Sequence, residues 1–500
     1  MLARLRTAAV FGVEACQVDV EVDVSFGMPR FTMVGLPDAS VRESRDRVRS
    51  AIRNSGFAFP SHRITVNLAP ADVRKAGAAF DLPIALGILA AEGIVERRDT
   101  GDLLLLGELS LDGSIHPARG VLPIAAAARR AGIGALVLPT ANAREAAIVS
   151  GLDVYPVTSL SEAVRALNDP SIGPSRPAPL PSLSPDVADL ADIRGQLLAR
   201  RALEIACAGG HNLIAVGPPG SGKTMMARRV PGILPPMTFD EAVEVTSVHS
   251  VAGLLPPGSG LVAHRPFRAP HHTISDMALV GGGSQPRPGE VSLAHNGVLF
   301  LDEMLEFNRR VLEVLRQPLE ERSVTIARAA RTAVFPAHFM LVGAMNPCPC
   351  GYLGDTLREC RCTPQQVARY ADRLSGPLRD RLDLRVDVPA LPPDVLTMEA
   401  NGERSAVVRE RVVAARARQH ERYAGIAIRT NAELTPSLAA RHCALDRAGA
   451  TLIQGAIARL GLSARGYDRV RSVARTIADL DGSDGICADH IGEALQFRPL

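Results

Sequence analysis

Residues 212–230 read NLIAVGPPGSGKTMMARRV. An apolar run, a glycine-rich turn closed by Lys-Thr and a helix-compatible run follow one another, the strand–loop–helix order in which a phosphate-binding loop works. Glycines let successive backbone N–H groups curl around phosphate oxygens with no Cβ in the way, and the following helix directs its positive end at them. Gly217, Pro218, Pro219, Gly220, Ser221, Gly222, Lys223 and Thr224 are therefore the candidate nucleotide cradle. Lys223 would neutralise the β- and γ-phosphates of ATP, and Thr224 would hold Mg²⁺ through its hydroxyl.

Working outward, GVLFLDE at 297–303 is an apolar strand that delivers two carboxylates to a sheet edge. Asp302 would enter the Mg²⁺ shell, and Glu303 would orient and polarise the attacking water. A third strand, FMLVGAMN, ends in Asn346, whose amide suits the γ-phosphate or that water, the role called sensor 1 in AAA+ proteins. In GPLRDRLDLRVDVP (376–389), Arg381 sits at a helix end leading into a strand and is the candidate arginine finger for a neighbouring subunit's γ-phosphate. Arg379 is its competitor. Late in the chain, LSARGYDRVRSVARTIADL offers Arg465 just before a helix as a sensor 2 arginine, with Arg469 one turn on as the alternative.

The wider composition suits a soluble multidomain protein: 500 residues, 46% hydrophobic and 22% charged, with a net charge of +3 that says nothing decisive about nucleic acid. No apolar run reaches the roughly 18 residues of a membrane span, and the first twenty residues place acids too early for a secretory signal, so a cytoplasmic location is expected. Segments 1–167 read as a mixed α/β domain, with VDVEVDVSF and HRITVNLAP as strands and VRESRDRVRSAIRNSG as a helix ended by Gly56. Residues 168–186 hold six prolines and read as a linker. Residues 187–392 carry the motifs above on a parallel sheet covered by helices, and 393–500 are helix-patterned.

Four of the eight cysteines, Cys348, Cys350, Cys360 and Cys362, form a C-x-C…C-x-C pair directly after the sensor strand. Four thiolates on two short arms can close a tetrahedral zinc site, although C-x-C is tighter than the commonest spacing. Free thiols and disulfides are the alternatives, the latter disfavoured in a reducing compartment. Cys16, Cys207, Cys443 and Cys487 are scattered and read as small core residues.

Together MPRFTMVGLPD, ITVNLAPADVRKAGAAFDLPIALGIL, GPPGSGKT, FRAPHHTISDMALVGGG, GVLFLDE, MNPCPCGYLGD, SGPLRDRLD and LSARGYDRVRSVARTIADL resemble the ComM/YifB family of magnesium-chelatase-like AAA+ proteins, nearly end to end. The resemblance implies a homohexameric ring that binds DNA and spends ATP on branch migration, supporting integration of incoming DNA in natural transformation. For residues 1–167 it implies a Lon-protease-like fold of the ribosomal S5 domain 2 type. RKAGAAF puts Ala79 at that fold's serine position, and GSIHPARGVL puts Leu122 or a neighbour at its lysine position, so peptide hydrolysis is not expected. Related motors line a central pore with hairpins at two places, here 253–290, which contains RPFRAPHH, and ERSVTIARAARTAVFPAHF. Arg322, Arg328 and Arg331 of the second would grip DNA phosphates without regard to sequence. His271 and His272 carry no assignment. The rival readings are a chelatase-type ATPase subunit remodelling a partner enzyme, which the amino-terminal domain argues against, and a regulatory ATPase of a separate protease.

Overall fold

The structure, a computed structural model, describes residues 1–500 except 72–74, 76, 97–101, 176–187, 284–285, 328–331, 356–357, 398–401 and 499–500. The amino-terminal domain is built on a seven-stranded mixed sheet. Its order is Arg30–Val34, Arg63–Ala69, Glu14–Ser25, Leu2–Phe11, Leu103–Leu105, Ala135–Pro139 and Asp153–Val157. Strict alternation explains the long strand at 14–25: Val18, Val20, Val22 and Val24 all point to one face and are buried there. The predicted helix forms over Ala39–Asn54, where Asp38 caps the first turn by accepting from the Val41 N–H and Gly56 follows in the left-handed region. The domain's last helix, Leu160–Asn168, runs to the start of the proline-rich segment, most of which lies outside the described residues.

The second domain has a five-stranded, all-parallel sheet ordered Phe267–Arg268, Val298–Leu301, Met340–Met345, Leu213–Val216 and Leu384–Asp387. The three strands named from the sequence motifs occupy its centre. They are continuous apolar runs because helices cover both faces. Within 253–290, Phe267–Arg268 of RPFRAPHH is the edge strand beside Val298–Leu301, and Gly281–Gly282 pairs antiparallel with Arg287–Pro288 as a short hairpin. The second expected hairpin pairs Ser323–Ala327 with Thr332–Pro336 antiparallel.

The carboxy-terminal helices, including Ser405–Arg422, Arg447–Leu460, Ala464–Leu480 and Ala488–Gln496, share one hydrophobic core with the sheet. A buried polar network ties them to the residue that introduces the phosphate loop's strand. The His211 Nε2 lies 2.8 Å from Thr476 Oγ1, Asn431 donates to Asp479 at 2.8 Å, and Arg422 donates to the same carboxylate at 2.9 Å. The amino-terminal domain docks against helix Phe239–Ala252: the Ser250 hydroxyl bonds the buried Glu145 carboxylate, and Arg144 donates to the Gly258 carbonyl at 3.2 Å. No helix among the described residues is long and apolar enough to cross a membrane.

Candidate functional site

Every parallel strand of the central sheet points its carboxyl end the same way, so the turns after Val216, Leu301 and Met345 meet at one edge. After Val216 the chain passes so close to its neighbour that a Cβ on Gly217 would stand 2.0 Å from the Val388 carbonyl oxygen. Gly220 and Gly222 have φ of +77° and +94°, the left-handed conformation that admits glycine at no steric cost. Gly222 is the entry to helix Lys223–Ala227, whose first turn faces the loop. Pro218 and Pro219 complete the bend, and the buried Ser221 lies within it.

Lys223 donates to the carbonyls of Gly217 at 2.7 Å and Pro218 at 2.8 Å, and lies 3.4 Å from Asn346 Oδ1. Burial lowers its pKa, opposed by the negative charges of Asp302 and Glu303. The chain has only one other lysine, Lys75, which is fully buried in the amino-terminal domain. Thr224 Oγ1 donates to Asp302 Oδ2 at 2.7 Å. Adjacent ligands of an octahedral Mg²⁺ stand about 2.9 Å apart, so the hydroxyl and carboxylate are already placed as neighbours in such a shell. Glu303 follows with φ +48°, left-handed and therefore strained for a residue with a Cβ. The kink turns its side chain out to 58% exposure, where water can reach it.

His272, left without assignment from the sequence, belongs to this edge: its Nδ1 is 3.9 Å from Glu303 Oε2. The edge strand carries it there, since Phe267 and Arg268 pair with Val298 and Leu299 and the chain then runs past the same strand ends. The sequence signal was the histidine pair four residues after an apolar-aromatic step, and only strand order gives it meaning.

The arginines lie elsewhere. Asp383 and Leu384 donate their backbone N–H groups to the Asn212 carbonyl, at the amino-terminal ends of their strands. That edge is separated from the phosphate loop by the length of Leu213–Val216, on the order of 10 Å. Arg381 is 12% exposed, ion-paired to Glu320 and 2.5 Å from the Pro377 carbonyl. Arg379 instead donates to the carbonyls of Ala371 and Leu374, tying down the end of the preceding helix. Arg469 pairs with Asp383 at 3.3 Å, and Arg465 lies 3.8 Å from Asp380. Arg465 and Arg469, the sensor 2 candidates, both flank Arg381 at the opposite edge of the sheet, because helix Ala464–Leu480 packs against that end.

Arg322 also differs from a freely gripping side chain. It sits at the base of the hairpin and pairs with the buried Glu433 of the helical region, which needs a counter-charge. Arg328 and Arg331 lie outside the described residues. Ala79 and Leu122 are where a Lon-type serine and lysine were expected; Leu122 is fully buried and its N–H donates to Glu145 at 2.8 Å.

The four cysteines converge. Cys348 Sγ is 3.4 Å from Cys350 Sγ and 3.7 Å from Cys360 Sγ, Cys350 and Cys360 are 3.7 Å apart, and with Cys362 all four sulfurs fall within 4.8 Å of one another. A tetrahedron with zinc–sulfur bonds of about 2.3 Å has edges of about 3.8 Å, which this cluster matches.

Comparison with known proteins covers nearly the whole chain. The family model described as magnesium chelatase, subunit ChlI, matches residues 189–396. That for subunit ChlI of Mg-chelatase matches 20–142, and that for the ChlI carboxy-terminal region matches 402–498. The competence protein ComM of Haemophilus influenzae is 46% identical over 509 residues, covering 100% of this chain and 98% of that protein. YifB of Salmonella typhimurium is 43% identical over 502 residues, covering 100% and 97%. Lon protease 2 of Bacillus subtilis is 30% identical over 184 residues, 32% of each chain.

Proposed function

Because the chain belongs to the ComM/YifB family of magnesium-chelatase-like AAA+ proteins, and so to the ATPases that use ATP with Mg²⁺, we propose that it is an ATP-driven DNA motor. In this reading identical chains assemble as a homohexamer, and hydrolysis drives branch migration or strand separation during recombination of incoming DNA. One observation carries it: the phosphate loop with Asp302, Glu303 and Asn346 stands at one edge of the sheet, and Arg381, Arg465 and Arg469 stand at the other. A γ-phosphate held at the first edge meets those arginines only if a second copy presents them, which is how a ring shares its sites. The competence name of the Haemophilus relative supports the pathway.

The residues then divide the work. Lys223 and the loop N–H groups hold the phosphates, Thr224 and Asp302 hold Mg²⁺, and Glu303 takes the proton side of the attacking water while Asn346 fixes its position. Mg²⁺ held by Thr224 and Asp302 would supply charge neutralisation to the phosphates. Arg328 and Arg331, which in sequence fall between the two hairpin strands, are the proposed phosphate contacts to DNA, with Arg322 anchoring the hairpin's base. We assign one structural zinc ion to Cys348, Cys350, Cys360 and Cys362, and expect about one zinc per chain by elemental analysis.

The deciding experiment measures ATP turnover with single-stranded, duplex, forked and four-way DNA, beside branch migration of the four-way junction. Stimulation by branched DNA with ATP-dependent migration is expected. Turnover indifferent to every DNA, with no migration, would overturn the DNA motor in favour of an ATPase that remodels a protein partner.

A further inference from the structure

The cysteine cluster lies against the nucleotide cradle. Asn346 ends the sensor strand and Cys348 follows two residues later, fully buried. The Cys348 carbonyl accepts from the Gly351 N–H at 2.9 Å, closing a tight turn between the first two sulfurs and the P-loop. Gly351 has φ +87°, and a Cβ placed on it would stand 2.7 Å from Pro219 Cδ, 2.9 Å from Pro219 Cγ and 3.9 Å from Asn346 Cγ. The turn is thus packed directly onto Pro219 of the phosphate loop, so closely that a side chain at 351 would force one of them to shift.

The second arm is equally placed. Cys360 and Cys362 lie just before Thr363, which caps helix Pro364–Ala371 through a reciprocal capping box with Gln366. Tyr370 of that helix, with Leu374 and Leu378 beyond it, is buried in the core that also holds Val216 and Leu301. The stretch continues directly to Arg381. One ion held by both arms would therefore clamp the end of the sensor strand to the start of the helix that leads to Arg381, across a loop with few apolar side chains.

We propose that the four-cysteine zinc site is a positioning device for the nucleotide cradle, holding the Cys348–Gly351 turn against Pro219 so that the phosphate loop and Asn346 keep the geometry that binds ATP. This rests on the zinc reading given above. The site orders the loop; it touches neither substrate nor the reacting atoms. Loss of the ion, whether by chelation or by oxidation of the thiolates, would free the turn and loosen the cradle from outside.

The test uses the full-length chain with three readouts: zinc content, affinity for a fluorescent ATP analogue, and helical circular dichroism. Cys360→Ser/Cys362→Ser should lose zinc, keep its helical signal and bind the nucleotide at least about tenfold more weakly. Gly351→Ala should keep about one zinc per chain and yet weaken nucleotide binding to a similar degree, because its Cβ collides with Pro219. The second variant carries the test if the first fails to fold. Unchanged nucleotide affinity in Gly351→Ala, or in a folded zinc-free protein, would overturn the positioning role while leaving the zinc site standing. Wild-type protein without zinc and with four freely alkylated thiols would instead overturn the zinc reading on which the proposal rests.

Discussion

The two α/β domains of this chain each carry a large sheet, and they treat their polar residues in opposite ways. In the ATPase core the polar side chains of the strand ends are turned outward and meet one another across the edge, as Thr224 does with Asp302 and Lys223 with Asn346. Glu303 is even held in a strained conformation that exposes it. In the amino-terminal domain the buried acids are satisfied inward. Asp81 accepts from Arg47 at 2.8 and 3.1 Å and from the Leu109 N–H at 3.3 Å; Glu145 accepts from Leu122 and Asn142. Polar groups that close on each other stabilise a fold, and polar groups left converging on open space are available for chemistry.

The largest effects that sharpen this contrast are in the core. Lys223→Ala should abolish nucleotide binding, whereas Glu303→Gln should preserve binding and cut turnover by roughly 10³-fold, since one group holds phosphate and the other positions water. Wild-type turnover in Glu303→Gln would remove its role. Arg381→Ala should also cost on the order of 10³-fold in turnover while leaving nucleotide and DNA affinity in place. Mixed with Lys223→Ala subunits it should regain measurable activity, because some interfaces then pair an intact loop with an intact arginine. Verified mixed rings with no recovery would mean that the two sheet edges do not meet across subunits.

Substitutions in the amino-terminal domain should behave otherwise. Asp81→Ala leaves the Arg47 guanidinium without its main partner and should destabilise that domain by about 3 kcal/mol in chemical denaturation, with nucleotide affinity unchanged. A matching loss of ATP binding would break the contrast by showing that this acid serves the distant site. The smallest effect is expected from Ala79→Ser: stability within about 0.5 kcal/mol of wild type, turnover unaltered, and no peptide hydrolysis on a fluorogenic substrate. A hydroxyl there lacks the expected base, since the stretch GSIHPARGVL, where Leu122 or a neighbour takes the lysine's place, contains no lysine.

Much of this was legible before the structure. The strands at 213–216, 298–301 and 340–345, the loop between 217 and 224 and the helix Ala39–Asn54 follow from local periodicity and turn chemistry, which act over a few residues. Thr224 and Asp302 could be paired in advance because parallel strands bring their carboxyl ends to one edge. The arginines were harder. Arg465 and Arg469 read as partners of the nucleotide, yet their place depends on how a helix more than eighty residues beyond Asp380 docks on the sheet, and helix amphipathicity does not encode which end it covers. Arg322 and Glu433, 111 residues apart, pose the same problem. Phe267–Arg268 was too short for its alternation to register as a strand, and with it His272 was missed.

The scarcity of lysine has a practical consequence. Of all the side chains here only Lys75 and Lys223 carry an amine, and Lys75 is sealed in its domain. Arginine does not react with acylating reagents at neutral pH because its guanidinium stays protonated. Burial lowers the Lys223 pKa, which makes its nucleophilic free base easier to form than that of an ordinary exposed lysine. Side-chain acylation of the folded protein should therefore converge on one nitrogen, the nitrogen that ATP would cover, so that a single mass-spectrometric label reports how many sites of an assembly are filled at any moment of its cycle.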